Sequence, residues 1–467
     1  MKKFSTFCIT ILIVALSCKE APRHPGDITY QTYCAGCHGT KMQGGLAAPL
    51  IKTEWLYGRE RNSMVSNTRF GIPGTEMIAW GVILSNEQIN DVIDYIVESQ
   101  DLPPQADRPI PERIETEDYT LKVEKLAQGI SKPWGIEFVD TNTALISEGT
   151  GGLRWLINNE LDPEPIRGLP KTYSPSRSVG MMDLAIDPDY VNNGWVYLSF
   201  SFTEDSLKTA ESAGMTKIVR ARIKDHEWVD QQTLFEAPDS LRIRNGTRWG
   251  CRLFFDRDGY FYFTIGDMDQ GELSQDLSKP VGKVFRINAD GTIPEDNPFV
   301  DRPGTLPGIY SLGNRNVQGI TQDPTTGTIW MTEHGPMGGD ELNILKKGTN
   351  YGWPVVTYGI DYSGKAVSEK TEMGGMEPPI TYWTPSIAVC PIEFCSSPLF
   401  PKWSNNLFLG ALAHEEIRRL VVENETVTSQ EVFLKGLGRV RDIKISPDGT
   451  IYVLLNEPDV VLRLTPE

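Results

Sequence analysis

From about residue 118 to the C-terminus the chain repeats one pattern: a short apolar run, a turn rich in Asp, Asn or Gly, and a second apolar run. Residues 184–189 turn at Asn192-Asn193-Gly194 into 195–198, and 253–256 turn at Asp258-Gly259 into 260–263. Residues 320–323 turn at Gly327 into 329–331, and 443–446 turn at Asp448-Gly449 into 451–454. Weaker copies run through 136–140 and 403–408, which makes six hairpins of one kind. Asp, Asn and Gly tolerate the backbone angles of tight turns, and apolar runs bounded by them predict strands. No stretch between the hairpins has a helical period. Repeated all-β units about 40–50 residues apart predict propeller blades, with loops in the longer intervals. Six hairpins predict six blades; the competing arrangement of the same strands is a β-sandwich.

The N-terminal part is patterned differently. Residues 28–100 read as a small helical domain. A first helix leads from Asp27-Ile28-Thr29-Tyr30 into Cys34-Ala35-Gly36-Cys37-His38. Ser85-Asn86-Glu87-Gln88 caps a later helix on which Ile89, Val92, Ile93, Ile96 and Val97 recur at helical spacing. Residues 101–117 are proline-rich and polar without an apolar period, and read as a linker; 118–467 form the large all-β domain and 19–27 a tether. Residues 1–18 stand apart. Lys2 and Lys3 precede a mostly apolar run over 4–16, shorter than the roughly 20 residues that a spanning helix needs. Leu16-Ser17-Cys18 closes it in the manner of a bacterial lipoprotein signal, although Ala15 stands where that pattern usually has Leu. Cys18 is then the lipidated first residue of a mature periplasmic protein anchored to a membrane. A plain secretory signal is the alternative.

A length of 467 residues accommodates these two domains. The net charge of −17, with no Lys/Arg run, leaves no basic face for a phosphate backbone and argues against nucleic acid as a partner. Of seven cysteines, Cys8 and Cys18 fall in the signal and Cys34 and Cys37 in the Cys-x-x-Cys-His run. Cys251, Cys390 and Cys395 remain, an odd number: either one pair is bridged or all three are buried thiols.

Cys34-Ala35-Gly36-Cys37-His38 is a haem-attachment motif. Two thiols one helical turn apart can bond the two vinyl groups, and the adjoining His38 is placed to ligate the iron. A second ligand is sought among Met42, Met64 and Met77. Met42 lies only four residues past His38, too near to reach the opposite face. The whole of 28–100 resembles a class I cytochrome c, whose ligating Met occupies the place of Met77; Met64 is then core filling. His/Met ligation gives a higher potential suited to accepting electrons from an organic cofactor.

The β domain also carries a set of motifs. They are Lys132-Pro133-Trp134-Gly135, Gly250-Cys251-Arg252-Leu253, Thr264-Ile265-Gly266-Asp267 and Gly313-Asn314-Arg315-Asn316-Val317-Gln318-Gly319. Further along stand Glu333-His334-Gly335-Pro336, Gly339-Asp340-Glu341-Leu342-Asn343, Asn350-Tyr351-Gly352-Trp353-Pro354, Pro385-Ser386-Ile387-Ala388 and Gly438-Arg439-Val440-Arg441-Asp442. With these, 120–467 resembles the soluble quinoprotein glucose/sorbosone dehydrogenase family. The resemblance implies a six-bladed propeller that binds pyrroloquinoline quinone (PQQ) and calcium on its axis and oxidises sugars or related alcohols. PQQ is a flat tricarboxylate, and Arg315, Arg439 and Arg441 offer forked donors that match carboxylates, with Asn316 and Gln318 as neutral donors. The family pattern implies cofactor contacts at Arg315, Asn316, Arg439, Arg441 and Ser386. It implies calcium on the carbonyls of Gly335 and Pro336, and further calcium ligands at Asp340 and Glu341.

Three positions depart from the pattern. Arg248 stands where the family has the His that takes the substrate proton, and arginine stays protonated. A usual Gln is replaced near Ser178, and a cofactor-contacting Lys appears as Ala413 beside His414. Of five histidines, His38 is committed to iron, His24 is in the tether and His226 in a polar loop, which leaves His334 and His414 as substitutes for the lost base. Asp267 matches an acidic partner of the missing His; it either acts itself or pairs with Arg248. Three readings follow. The first is a PQQ- and calcium-dependent dehydrogenase that passes electrons to its own haem and on to an external cytochrome or oxidase. The second is a non-catalytic ligand-binding propeller carrying a cytochrome. The third is a dehydrogenase with a changed substrate, in which Arg248 grips an anionic sugar.

Overall fold

The computed structural model describes residues 24–51, 61–72, 75, 77–100, 110–126, 129–174, 180–206, 209, 212–361 and 365–467. The signal segment with Cys18, and Ser178, lie outside the described residues.

Six antiparallel sheets make up the large domain; five have their strands in chain order from the inside outward, and the sixth takes its outer strands from the domain's N-terminal side. Their innermost strands are Pro133–Asp140, Met181–Ile186, Leu253–Phe255, Val317–Gln322, Val389–Phe394 and Arg439–Ile445. These are blades one to six of a propeller. Every hairpin expected from the sequence is the inner pair of a blade, or part of one. The inner pairs are continuous apolar runs because both faces are covered: Met181–Ile186 and Val196–Phe202 are almost wholly buried. Outer strands such as Thr426–Lys435 are largely exposed. The hydrophobic core divides accordingly into one cluster per junction between neighbouring blades. Stacked Phe263 and Phe285, 4.7 Å apart, belong to the junction of blades two and three.

The ring is closed by the two ends of the domain. Thr120–Lys125 pairs with the final strand Val460–Pro466 and so completes the sixth blade, and Arg113–Glu115 adds a short outer strand. Arg113–Glu115 falls inside the segment read as linker. It is a polar edge strand with only Ile114 turned toward the core, so it leaves no apolar signature. The turn expected at Asn192-Asn193-Gly194 is a single helical turn, Tyr190–Asn193, ended by Gly194 at φ +68°.

In the N-terminal domain, helix Pro25–Thr29 runs through a π-turn, Tyr30–Cys34, into Ala35–His38; helices Arg61–Phe70 and Asn86–Gln100 follow. The first helix thus begins inside the expected tether. Ser85 and Gln88 form a reciprocal cap: Ser85 Oγ accepts from Gln88 N at 3.1 Å and Gln88 Oε1 from Ser85 N at 3.0 Å. Val92, Ile93 and Ile96 of that helix pack with Tyr30, Cys34, Ala35, Met42 and Met64. No described helix is long and apolar enough to cross a membrane.

Candidate functional site

Each blade begins its inner strand at the same end of the axis, and its loop between second and third strands returns to that end. This is why motifs far apart in sequence meet on one face. Arg248, Arg315, Ser386, Arg439 and Arg441 sit at inner-strand entries. Asp267, His334 to Met337, and Ala413 to Glu415 sit in the returning loops.

At the centre lies Arg252, 4% exposed. Its Nε donates to the Gln318 carbonyl at 2.6 Å. Nη1 meets Asp183 at 3.3 Å and Asp442 at 3.1 Å, while Nη2 donates to the Arg441 carbonyl at 2.6 Å and the Cys390 sulfur at 3.5 Å. Its guanidinium lies 4.6 Å from the Trp134 ring. One side chain from blade three therefore touches the other five blades. The sequence reading quoted Arg252 within a motif and gave it no role; a lone arginine in an apolar strand entry was the available signal. Cys390 is held by Arg252 and by Arg441, whose Nη1 is 3.7 Å away. Cys251, Cys390 and Cys395 are buried free thiols, so no disulfide links them.

Around this plug stand the expected cofactor residues. Arg315 Nη1 donates to the carbonyls of Gly335 at 2.7 Å and His334 at 3.1 Å, and its guanidinium lies 5.3 Å from the Trp353 ring. Arg441 Nε donates to Asn456 at 3.2 Å. His334 lies within electrostatic reach of Arg315, Arg441 and Arg439 together; burial first, then these charges, push its imidazole down to about 3. Its Nε2 is buried and accepts or donates no hydrogen bond within the protein. Asn316 Oδ1 accepts from Gly250 N at 3.2 Å and from Gln318 Nε2 at 3.3 Å, so these two residues brace the strand entry beside Arg248.

Arg248 and Asp267 form a two-pronged pair, Nε to Oδ1 at 2.6 Å and Nη2 to Oδ2 at 3.2 Å, and Arg248 Nη1 also meets Asp269 at 2.5 Å. Trp353 Nε1 donates to Asp267 Oδ2 at 2.8 Å. Of the two roles that the sequence left open for Asp267, the structure shows the pairing. His414 lies in the returning loop of blade five with Nδ1 3.8 Å from Glu416.

Asp340 is fully buried. It accepts from Gly335 N at 2.9 Å, Ser386 Oγ at 2.8 Å and Val389 N at 3.2 Å, and so pins the Gly335-Pro336 loop to blade five. Glu341 stands opposite Glu333 in the ladder. Burial and then the Glu333 charge hold its carboxyl well above the usual range, while Asn343 donates to both carboxylates, at 3.0 and 3.3 Å. Among the described residues no group of three or more His, Cys, Asp or Glu side chains forms a metal-binding cluster. Of the two residues read as further calcium ligands, Asp340 is taken up by the Gly335 loop and blade five, and Glu341 shares Asn343 with Glu333.

In the N-terminal domain, Cys34 and Cys37 stand one turn apart. His38 Nδ1 lies 3.0 Å from the Ala48 carbonyl, which can only accept, so the ring proton sits on Nδ1 and Nε2 carries the lone pair that a metal requires. Met64 shares a buried cluster with Cys34, and Met77 packs with Trp80, Tyr33 and Ile78.

The model of the Glucose / Sorbosone dehydrogenase family matches residues 130–463, and that of cbb3-type cytochrome c oxidase subunit III matches 21–96. The chain is 36% identical to the aldose sugar dehydrogenase YliI of Escherichia coli, over 74% of this chain and 93% of that protein. It is 36% identical over 70 residues to cytochrome c55X of Stutzerimonas stutzeri, over 15% of this chain and 61% of that one. Among solved structures, the PQQ-bound aldose sugar dehydrogenase of Streptomyces coelicolor superposes with a TM-score of 0.60 at 25% identity, over 76% of this chain and 99% of that chain. With six blades and a Cys-x-x-Cys-His domain ahead of them, the chain belongs to the glucose/sorbosone dehydrogenase family and carries a cytochrome c domain at its N-terminal side.

Proposed function

We propose that this protein oxidises a neutral aldose sugar or related alcohol with PQQ and calcium in the propeller, and delivers the electrons to haem c and then to an external acceptor. The observation that carries this reading is the meeting of Arg315, Arg439 and Arg441 around one buried imidazole whose Nε2 has no partner in the protein. Three guanidiniums within electrostatic reach of one imidazole suit a tricarboxylate, whose negative charge would offset their mutual repulsion. Bound PQQ supplies the acceptor for the two electrons of sugar oxidation, and calcium supplies Lewis acidity at its carbonyl.

The residues of the chain divide the remaining work. Arg315, Arg439 and Arg441 grip the carboxylates. The carbonyls of Gly335 and Pro336, on a loop held by Asp340 and Ser386, would offer hard oxygen ligands for calcium once Arg315 Nη1 turned from the Gly335 oxygen to a cofactor carboxylate. His334 Nε2 is the acceptor for the sugar hydroxyl proton. That nitrogen is buried and has no hydrogen-bond partner in the protein. Arg248 orients the sugar, and Asp267 with Trp353 orients Arg248. Because Arg248 already meets Asp267 and Asp269, its charge is balanced in place. That favours a neutral sugar over an anionic one.

In the cell this assembly is a lipoprotein anchored through Cys18 and facing the periplasm, with Met77 as the second iron ligand. The deciding experiment adds calcium and PQQ to the haem-loaded protein and follows haem reduction over a panel of aldoses and sugar acids. Reduction by neutral aldoses is expected, and Arg248→Ala should lower kcat/KM about 10²-fold or more. A protein that retains no PQQ and whose haem stays oxidised with every sugar is a binding propeller instead.

A further inference from the structure

Among the described residues, Thr40 with Glu415 and Met337 with the Trp80 cluster join the cytochrome domain to the propeller, on the face where Arg315, Arg439 and Arg441 stand. Thr40, two residues beyond His38, donates from its hydroxyl to Glu415 Oε1. Glu415 is 4% exposed, stands at φ +49°, and has the charges of Lys41 and Arg439 beside it. A buried glutamate in the left-handed region costs conformational energy, and its backbone is fixed there by Gly436 N donating to its carbonyl at 2.8 Å. Its carboxylate thus bonds the cytochrome domain while feeling the charge of Arg439. The second contact is apolar. Met337 follows Gly335-Pro336 directly, and its side chain packs into the cytochrome cluster of Trp80, Leu84 and Ile89, beside Tyr33 and Met77. Methionine is flexible and polarisable, suited to filling an irregular interdomain gap against an indole.

We propose that Met337 and Glu415 are positioning residues that seat the haem domain on the face where Arg315, Arg439 and Arg441 stand, and that the packing of Met337 against the cluster of Trp80, Leu84 and Ile89 is the route by which electrons cross between the domains. The proposal rests on the dehydrogenase reading above. Two electrons leave each sugar, with two protons released to water. They pass to the ferric iron one at a time, and a soluble one-electron acceptor reoxidises the iron between them.

The test uses the full haem-loaded chain with Met337→Ala, Glu415→Ala and Glu415→Gln. The first readout needs no quinone: amide exchange at Ile83 and Leu84, whose N–H groups bond the Trp80 carbonyl. The second compares, after loading with PQQ and calcium, the rate of haem reduction with the rate for a dye that takes electrons from the propeller directly. Loss of either contact is expected to speed exchange and slow haem reduction by about tenfold, with the dye rate unchanged. Glu415→Gln should stay near wild type, since its amide oxygen still accepts from Thr40. Wild-type exchange and haem reduction in both alanine variants would overturn the proposal. If neither dye nor haem is reduced by any sugar in the wild type, the dehydrogenase reading fails, while the exchange data still decide the docking.

Discussion

Single side chains bear unusual weight on the propeller axis. Arg252 neutralises Asp183 and Asp442 and caps two backbone carbonyls in a space closed to water. Removing it leaves two buried carboxylates facing each other, and breaking a buried pair in this way costs about 3–5 kcal/mol. Arg252→Ala should therefore lower the guanidinium unfolding free energy by about that amount, and the loss should appear without any cofactor present. A second residue ties stability to acid. Burial alone would raise the Glu416 carboxyl, but His414, Lys435 and Arg418 outweigh it and bring it from 4.5 down to about 2. A carboxyl depressed on folding stabilises the native state above its unfolded value and loses that contribution as pH falls. The contribution is complete above pH 4.5 and fades between there and about 2. Glu416→Gln should flatten the acid limb of stability across that window, measured by denaturant titration at a series of pH values.

At the scale of elements, what the sequence revealed and what it hid have a common cause. Inner hairpins such as 253–263 are buried on both faces and read as unbroken apolar runs, so all six blades could be counted. Outer strands such as Glu227–Phe235 are exposed over much of their length and carry bulges, and they merge with loops when read from composition. The helix Asn86–Gln100 was legible because its cap and its apolar stripe agree. Ser85→Ala removes one half of the reciprocal cap and should cost the cytochrome domain about 1 kcal/mol, visible as an earlier loss of the haem-region spectrum on heating. The site was legible by motif: Arg315, Gly335, Ser386 and Arg441 were all identified before their meeting was seen. Arg252, Trp353, Glu333 and Glu415 were not assigned roles, because their importance comes from partners 60 or more residues away in several cases, such as Asp442 for Arg252 and Asp267 for Trp353. The one local sign for Arg252 is its place at the entry of an apolar strand, which does not name its partners.

At the scale of the whole molecule, the ring stands or falls with its seam. Leu121 is fully buried in the cluster between blades five and six, on the strand that the N-terminal side lends to the last blade. Leu121→Ala should cost about 2–5 kcal/mol, as for other large-to-small changes in a packed core. The loss should spread over the entire propeller transition in calorimetry rather than show as a local softening. The seam also orders events in time. A chain emerging from its N-terminus completes the cysteine–histidine segment within its first hundred residues, yet Thr120–Lys125 must wait for a mate at Val460–Pro466. Nascent molecules accordingly have their iron-binding module finished while the wheel is still open, and a truncation near the last residues should yield a red but unclosed protein.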